Sequence, residues 1–290
     1  IAISGLAQYG SHELKERFLA PAVSGKLVAA LGVSEPDIGS DVAALSTRAF
    51  KDGGDYLISG SKMWITNGVQ ADFVVTLCRT SEEAGYRGMS LIVVPTSSDG
   101  FSVGKKLEKM GNHSSDTGLL NFDRVRVPES FRIGEEGRGF YYQMEQFQKE
   151  RLLGSMLGVS LGDDAVRRTI EYCRERKVFG QPLLDKQWVY FHLAELRTEL
   201  TILRHFLYHC TARLIAGEDI TRDISMAKLK AGRLVRQVTD TCVQFHGGMG
   251  YAEEYPLARY YRDARLLSIG AGADEVMLEI IAKLEGFGPA

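Results

Sequence analysis

Residues 147–154 read FQKERLLG and set one carboxylate, Glu150, among neighbours that are largely apolar at helical spacing. On a helix Glu150 shares a face with Phe147 three residues before it, Gly154 four after and Leu157 seven after. A carboxylate on such a face loses its water, which raises its pKa and its strength as a base. The same spacing allows a plainer outcome, an ion pair with Lys149 or Arg151.

Other stretches carry chemistry of a binding kind. SEPDIGSD (34–41) offers Ser34, Ser40 and Asp41 in a turn where Gly39 lets a ligand approach the main chain, although an ordinary turn has the same composition. MWITNG (63–68) ends a strand with Trp64 and Thr66, an aromatic wall and a hydroxyl suited to a planar cofactor, yet a strand Trp is also common core. RERKVFGQPLLDKQ (174–187) places Arg174, Arg176 and Lys177 just before Phe179. Arginine there could clamp a pyrophosphate or simply cap the negative end of a helix. QFHGGMGY (244–251) is glycine-rich but follows helical sequence, so a dinucleotide fingerprint of the strand–turn–helix kind fails on context. His205 and His209 have the spacing of metal ligands on one helix face, but the intervening Phe, Leu and Tyr lack the accompanying Glu, and no metal site is expected.

The elements that must position these residues follow from periodicity. Residues 1–29 carry short helical patterns broken by Gly and Pro, with Ser11 as an N-cap, and resemble the tail of a helical region. Residues 30–133 change to short β-branched and aromatic runs, clearest in DYLISGSKMWITNG, ADFVVTLCRT, MSLIVVPT and GLLNFDRVRVP, with KDGGD (51–55) as a hairpin turn. They predict a compact antiparallel β-domain. Residues 134–290 hold four long amphipathic segments with short joints, the pattern of an antiparallel bundle.

Composition narrows the class. With 290 residues, 44% hydrophobic, there is material for a large core and about two domains. A formal charge of −2 gives no basic field for nucleic acid or anionic lipid. Cys78, Cys173, Cys210 and Cys242 are too scattered for a disulfide framework or zinc site and suggest a reducing compartment. No apolar run approaches the roughly 18 residues of a membrane span.

Taken together, SEPDIGSD, MWITNG, ERKVFGQPL, QFHGGMGYAEEYP and YRDARLLSIGAGADEV resemble the acyl-CoA dehydrogenase family, in that family's order and spacing over essentially the whole chain. The resemblance implies an α+β fold with a helical N-terminal domain, here only its remnant, a central β-domain and a C-terminal four-helix bundle. It implies an FAD enzyme, usually a homotetramer, that oxidises an acyl-CoA to its trans-2-enoyl-CoA and passes electrons to electron-transferring flavoprotein. The compartment would be the mitochondrial matrix or the bacterial cytoplasm.

Carried over residue by residue, the resemblance puts Val33, Ser34, Gly39 and Ser40 against flavin and the pantetheine arm, and Trp64 and Thr66 beside the isoalloxazine. Arg176, Phe179, Gln187, Gln244, Phe245 and Gly248 would hold the FAD adenosine and pyrophosphate, partly from a neighbouring subunit. Ser40, Arg151 and Gly270 would contact substrate. Many members carry the base in the loop before the last helix, where this chain has SIGAGADEV with Ala271 at the position. The isovaleryl and long-chain types keep a small residue there and carry the base on the first bundle helix in an E-R-L context, which KERL at 149–152 matches. Glu150 is therefore the expected catalytic base and the Ala271 main-chain N–H an oxyanion donor.

Three departures stand out. Ala273 replaces a loop threonine, Ile38 occupies a position where a smaller residue is common, and the sequence is expected to begin partway through the N-terminal helical domain. Two further readings remain from the residues: an acyl-CoA oxidase on the same fold, and a non-catalytic scaffold.

Overall fold

The computed structural model describes residues 2–83 and 85–288. The chain divides into two compact units, one of Ile1–Lys109 with His113–Phe147, the other of Met110–Asn112 with Gln148–Ala290.

The first unit opens with short helices α1 (Ser4–Tyr9), α2 (His12–Leu14) and α3 (Ala20–Val23), the last two joined by a π-helical stretch, Lys15–Leu19. Ser11 caps α2 as its position predicts, its hydroxyl accepting from the Leu14 N–H at 3.2 Å. Eight strands follow: β1 (Ala29–Gly32), β2 (Arg48–Asp52), β3 (Asp55–Thr66), β4 (Phe73–Arg79), β5 (Met89–Pro95), β6 (Phe101–Lys106), β7 (Thr117–Pro128) and β8 (Arg132–Ile133). They form one sheet in the order β6-β7-β3-β2-β4-β5-β8, with β1 added beside β4.

The pairing is antiparallel as expected except at two places, where β1 runs parallel to β4 and β2 meets β4 in parallel at Arg48 and Arg79. Continuous apolar sequence explains β4 and β5, which are buried on both faces from Phe73 to Cys78 and from Met89 to Val94. The KDGGD turn closes β2 on β3 with Asp52 opposite Asp55 and Gly53 at φ +65°.

The long helix α4 (Gly139–Glu175) leads into the second unit, with α5 (Gln187–Ile215), α6 (Thr221–His246), α7 (Gly248–Tyr251), α8 (Pro256–Ala264) and α9 (Asp274–Leu284). On α5 the buried residues Val189, Leu193, Leu196, Leu200, Leu203, Leu207 and Cys210 alternate steps of four and three, a seam of the 3.5-residue period. On α6 the stripe runs through Ile224, Ala227, Ala231, Leu234, Val238, Cys242 and Phe245. Each buried leucine contributes about 1.5–3 kcal/mol of burial, so these two stripes supply much of what holds the unit together. Helix α6 stops where Gly247 takes φ +57° and ψ −136°, a conformation that strongly favours glycine.

Candidate active site

In the first unit, the SEPDIGSD loop is built around an ion pair that lies out of water. Lys62 of β3 is fully buried and Glu35 is 3% exposed. The Lys62 ammonium donates to Glu35 Oε1 at 2.9 Å and to the Val33 carbonyl at 3.0 Å. Glu35 also accepts from the main-chain N–H groups of Ser46 at 2.8 Å and Thr47 at 2.9 Å. Burial pushes the Glu35 carboxyl up, but the Lys62 charge and the donors around it outweigh that and hold it at about 2.

The Ser34 carbonyl accepts from the Met63 N–H at 2.9 Å, and Glu35 and Ile38 exchange main-chain bonds at 2.8 and 3.2 Å. The loop is thus closed at its base. Gly39, Ser40 and Asp41 are left exposed at its tip, with open space where a Gly39 Cβ would stand.

Trp64 owes its position to a bulge. Between Lys62 and Ile65 the β3–β7 register shifts, so three steps along β3 match two along β7. Trp64 sits in that interval at φ +66° with 57% of its surface exposed, so its ring is not part of the core. Thr66 is exposed two residues on, and Val33 is buried against the sheet at 7%.

In the second unit, Arg151 and the loop before α9 are locked together. Arg151 is 5% exposed, and its Nε donates to the Ala271 carbonyl at 3.1 Å. Burial lowers the Arg151 pKa, and the neighbouring Glu150 charge opposes that. Fully buried Lys228 of α6 donates to the next carbonyl, that of Gly272. Ala271 has φ +55° and Gly272 φ +100°, so the chain kinks through two left-handed residues in succession. Gly270 donates its N–H to Leu266 at 2.8 Å, whereas among the described residues no main-chain or side-chain acceptor takes the Ala271 N–H. Arg151, expected to contact substrate, thus spends its Nε on the loop.

Glu150 lies half-buried on α4. The packed apolar face expected around it is only partly realised, because Leu157 is 62% exposed. Helical spacing says which residues share a face but not what covers that face.

The residues expected at the adenosine side lie on the joints α4–α5 and α6–α7. Lys177–Val178 and Gln181–Pro182 pair as a two-residue hairpin whose turn, Phe179 at φ +50° and Gly180 at φ +80°, leaves the Phe179 ring fully exposed. The Arg176 carbonyl accepts from Leu183 at 2.7 Å, and Gln187 is exposed at the start of α5. Tyr172 of α4 stacks on His246 at 4.3 Å between ring centroids and bonds the His246 carbonyl at 3.2 Å. Gln244 and Gly248 are exposed on that turn. Phe245, expected at the cofactor, is instead 9% exposed in the bundle core with its ring edge-on to His192 at 6.2 Å. It falls on the apolar stripe of α6, so packing takes its ring.

Sequence reasoning missed Glu35, Lys62 and Lys228. For Lys228 there was a signal: it interrupts the apolar stripe of α6, four residues after Ile224 and three before Ala231. Among the described residues no group of three or more His, Cys, Asp or Glu could hold a metal ion, and no helix is long and apolar enough to cross a membrane.

The chain matches the family profiles "Acyl-CoA dehydrogenase, middle domain" over residues 30–125 and "Acyl-CoA dehydrogenase, C-terminal domain" over residues 137–285. It belongs to the acyl-CoA dehydrogenase family.

Among similar proteins, the long-chain specific acyl-CoA dehydrogenase of Sus scrofa is 40% identical over 285 residues, covering 98% of this chain and 66% of that protein. The chain thus spans slightly less than two thirds of the length of that relative. The isovaleryl-CoA dehydrogenase of Solanum tuberosum is 35% identical over 98% of this chain and 69% of its own. A crystal structure of a probable acyl-CoA dehydrogenase from Mycobacterium abscessus superposes with a TM-score of 0.97 at 42% identity, covering 99% of this chain and 76% of that one.

Proposed function

We propose that the protein is an FAD-dependent acyl-CoA dehydrogenase that converts an acyl-CoA thioester to its trans-2-enoyl-CoA, with Glu150 as the base for the α-proton. The observation that carries the reading is the loop at Ala271: a left-handed residue with its carbonyl fixed by Arg151 and its N–H left for a ligand. A thioester α-proton is very weakly acidic, so its removal needs both a base and donors to the carbonyl oxygen, where charge develops. Arg151 follows Glu150 directly in the chain. Its bond to Ala271 therefore ties the turn of α4 that carries the carboxylate to the loop that carries the donor.

The residues present fit a flavin. The exposed Trp64 ring offers a flat wall, and the uncovered glycines Gly39 and Gly248 admit close approach to main-chain N–H groups. On this reading Val33, Ser34, Gly39, Ser40, Trp64 and Thr66 hold the isoalloxazine side and the pantetheine arm. Arg176, Phe179, Gln187, Gln244 and Gly248 hold the adenosine and pyrophosphate, with buried Phe245 fixing the turn beneath them. When bound, FAD supplies the acceptor for the β-hydride and a ribityl hydroxyl as second donor to the thioester oxygen. Ser40 and Gly270 would line the substrate path, and Arg151 would act there through the loop.

The small side chain of Ala271 leaves room near Cβ and favours a branched or long acyl group. The organisation proposed is a helical remnant at 1–29, a β-domain at 30–133 and a bundle at 134–290, assembled as a homotetramer that delivers electrons to electron-transferring flavoprotein. Turnover of an acyl-CoA panel with an electron-accepting dye under argon tests the reading. Enoyl-CoA formation supports it, peroxide formation in air without dye would assign an oxidase instead, and no flavin in the purified full-length protein would overturn it.

A further inference from the structure

Resting on that reading, the geometry points to Lys228 as a positioning residue that, together with Arg151, holds the Ala271 N–H in place and presents a buried positive charge behind the thioester oxygen. The two cations come from different helices, α4 and α6, and take consecutive carbonyls, Ala271 and Gly272. These bonds fix the peptide planes on either side of Gly272, and the Ala271 N–H, in the plane before them, is held through the single Ala271 Cα at φ +55°. An N–H that is already aimed needs no reorganisation when charge develops on its acceptor.

Space around the loop agrees with a tight clamp. A Cβ on Gly272 would stand 2.7 Å from the Met277 methyl and 3.3 Å from an Arg151 Nη, and its φ of +100° favours glycine whatever the space. Lys228 has no carboxylate within ion-pair distance among the described residues. Asp274, 6% exposed, leans on Arg233 at 3.7 Å and Arg236 at 3.9 Å, and its Oδ1 has no hydrogen-bond partner. The positive charge of Lys228 is therefore directed mainly at the Gly272 carbonyl.

The charged groups that act on Lys228 are Arg151 on α4, which repels it, and Asp274 and Glu275 on α9, which attract it. Burial is the strongest influence and pushes Lys228 down to about 8. The clamp consequently weakens as the ammonium gives up its proton in mildly alkaline solution.

The test uses the full-length holoenzyme with Lys228→Met, which keeps the bulk, and Lys228→Gln, which keeps a donor without the charge. The probe is a 3-thia-acyl-CoA, whose α-proton is acidic but whose β position is a thioether sulfur with no hydrogen to leave as hydride, so reaction stops at the anion. The pH midpoint of its deprotonation is read from the visible absorbance.

Lys228→Met is expected to raise that midpoint by about one unit or more, a tenfold loss of anion stabilisation, while affinity for the undeprotonated analogue changes by less than about threefold. Lys228→Gln falls between. Hydrogen exchange at 270–273, measured without any acyl-CoA, should accelerate by about tenfold in Lys228→Met. A wild-type midpoint with wild-type exchange in both variants overturns the assignment. Accelerated exchange with an unmoved midpoint also overturns it, leaving Lys228 a purely structural residue. Should the wild-type protein leave the analogue protonated at every pH, the dehydrogenase reading fails and the positioning role falls with it, whereas the exchange arm still decides whether the clamp exists.

Discussion

Lys62 and Glu35 meet at 2.9 Å with essentially no exposure of either side chain, and the same ammonium bonds the Val33 carbonyl. The pair therefore anchors the start of the loop proposed to face flavin. Removing one partner leaves a buried charge uncompensated, which costs about 3–5 kcal/mol. Lys62→Met should lose that much in urea unfolding, and the double variant Glu35→Gln with Lys62→Met should recover part of it.

The same carboxylate sets an acid limit. Glu35 is held at about 2 when folded against an ordinary value of 4.5, so its contribution to stability is complete above 4.5 and is lost as pH falls through 2. Acid unfolding of wild type should show this loss, and Glu35→Gln should flatten that part of the curve.

Lys228 acts with the opposite sign at high pH. Its folded value of about 8 lies below the ordinary 10.5, so the unfolded chain binds more protons between the two and stability rises with pH across that window. The rise amounts to about 3 kcal/mol at most. Lys228→Met should abolish it in unfolding curves measured from pH 8 to 10.5.

Trp64 separates stability from binding. A left-handed non-glycine residue costs roughly 1–2 kcal/mol, which Trp64→Gly relieves while adding about 0.5–1 kcal/mol of chain entropy to lose on folding. The apoprotein should unfold within about 1 kcal/mol of wild type, whereas FAD affinity should fall by about tenfold for loss of an aromatic wall. An unchanged FAD dissociation constant would remove Trp64 from the site.

Phe179 is the simplest case, since its ring is fully exposed on a two-residue turn. Phe179→Ala should leave the melting temperature within about 2 °C. Flavin should be lost from the variant more readily on dilution, as expected if adenosine binding is completed by a neighbouring subunit. Retention equal to wild type at all concentrations would count against that placement.

Much of the fold was legible because it rests on local periodicity. The unbroken apolar runs at 73–78 and 89–94 became doubly buried strands, and the alternating four-and-three spacing on α5 became its seam. The parallel approach of β1 to β4 was not legible, since the register joining Ala29 to Phe73 bridges 44 residues of chain. The bulge at Trp64 was hidden for a related reason: it exists only relative to β7.

Buried lysines were the main omission from the site. Lys62 looks in sequence like any other lysine and Lys228 is marked only by its place on the α6 stripe, while their partners, Val33 and Glu35 for one and Gly272 for the other, lie 27 or more residues away. The resemblance put Phe245 at the cofactor, while its ring packs on the apolar stripe of α6 beside the glycine turn.

Glu150 as the base is tested most directly by anaerobic titration of the full-length holoenzyme with a panel of acyl-CoAs, following the flavin absorbance of wild type and Glu150→Gln side by side. The account predicts bleaching of the wild type by at least one acyl-CoA and a bleaching rate at least about 10²-fold slower in the variant. Equal rates in the two proteins would contradict it and move the base elsewhere.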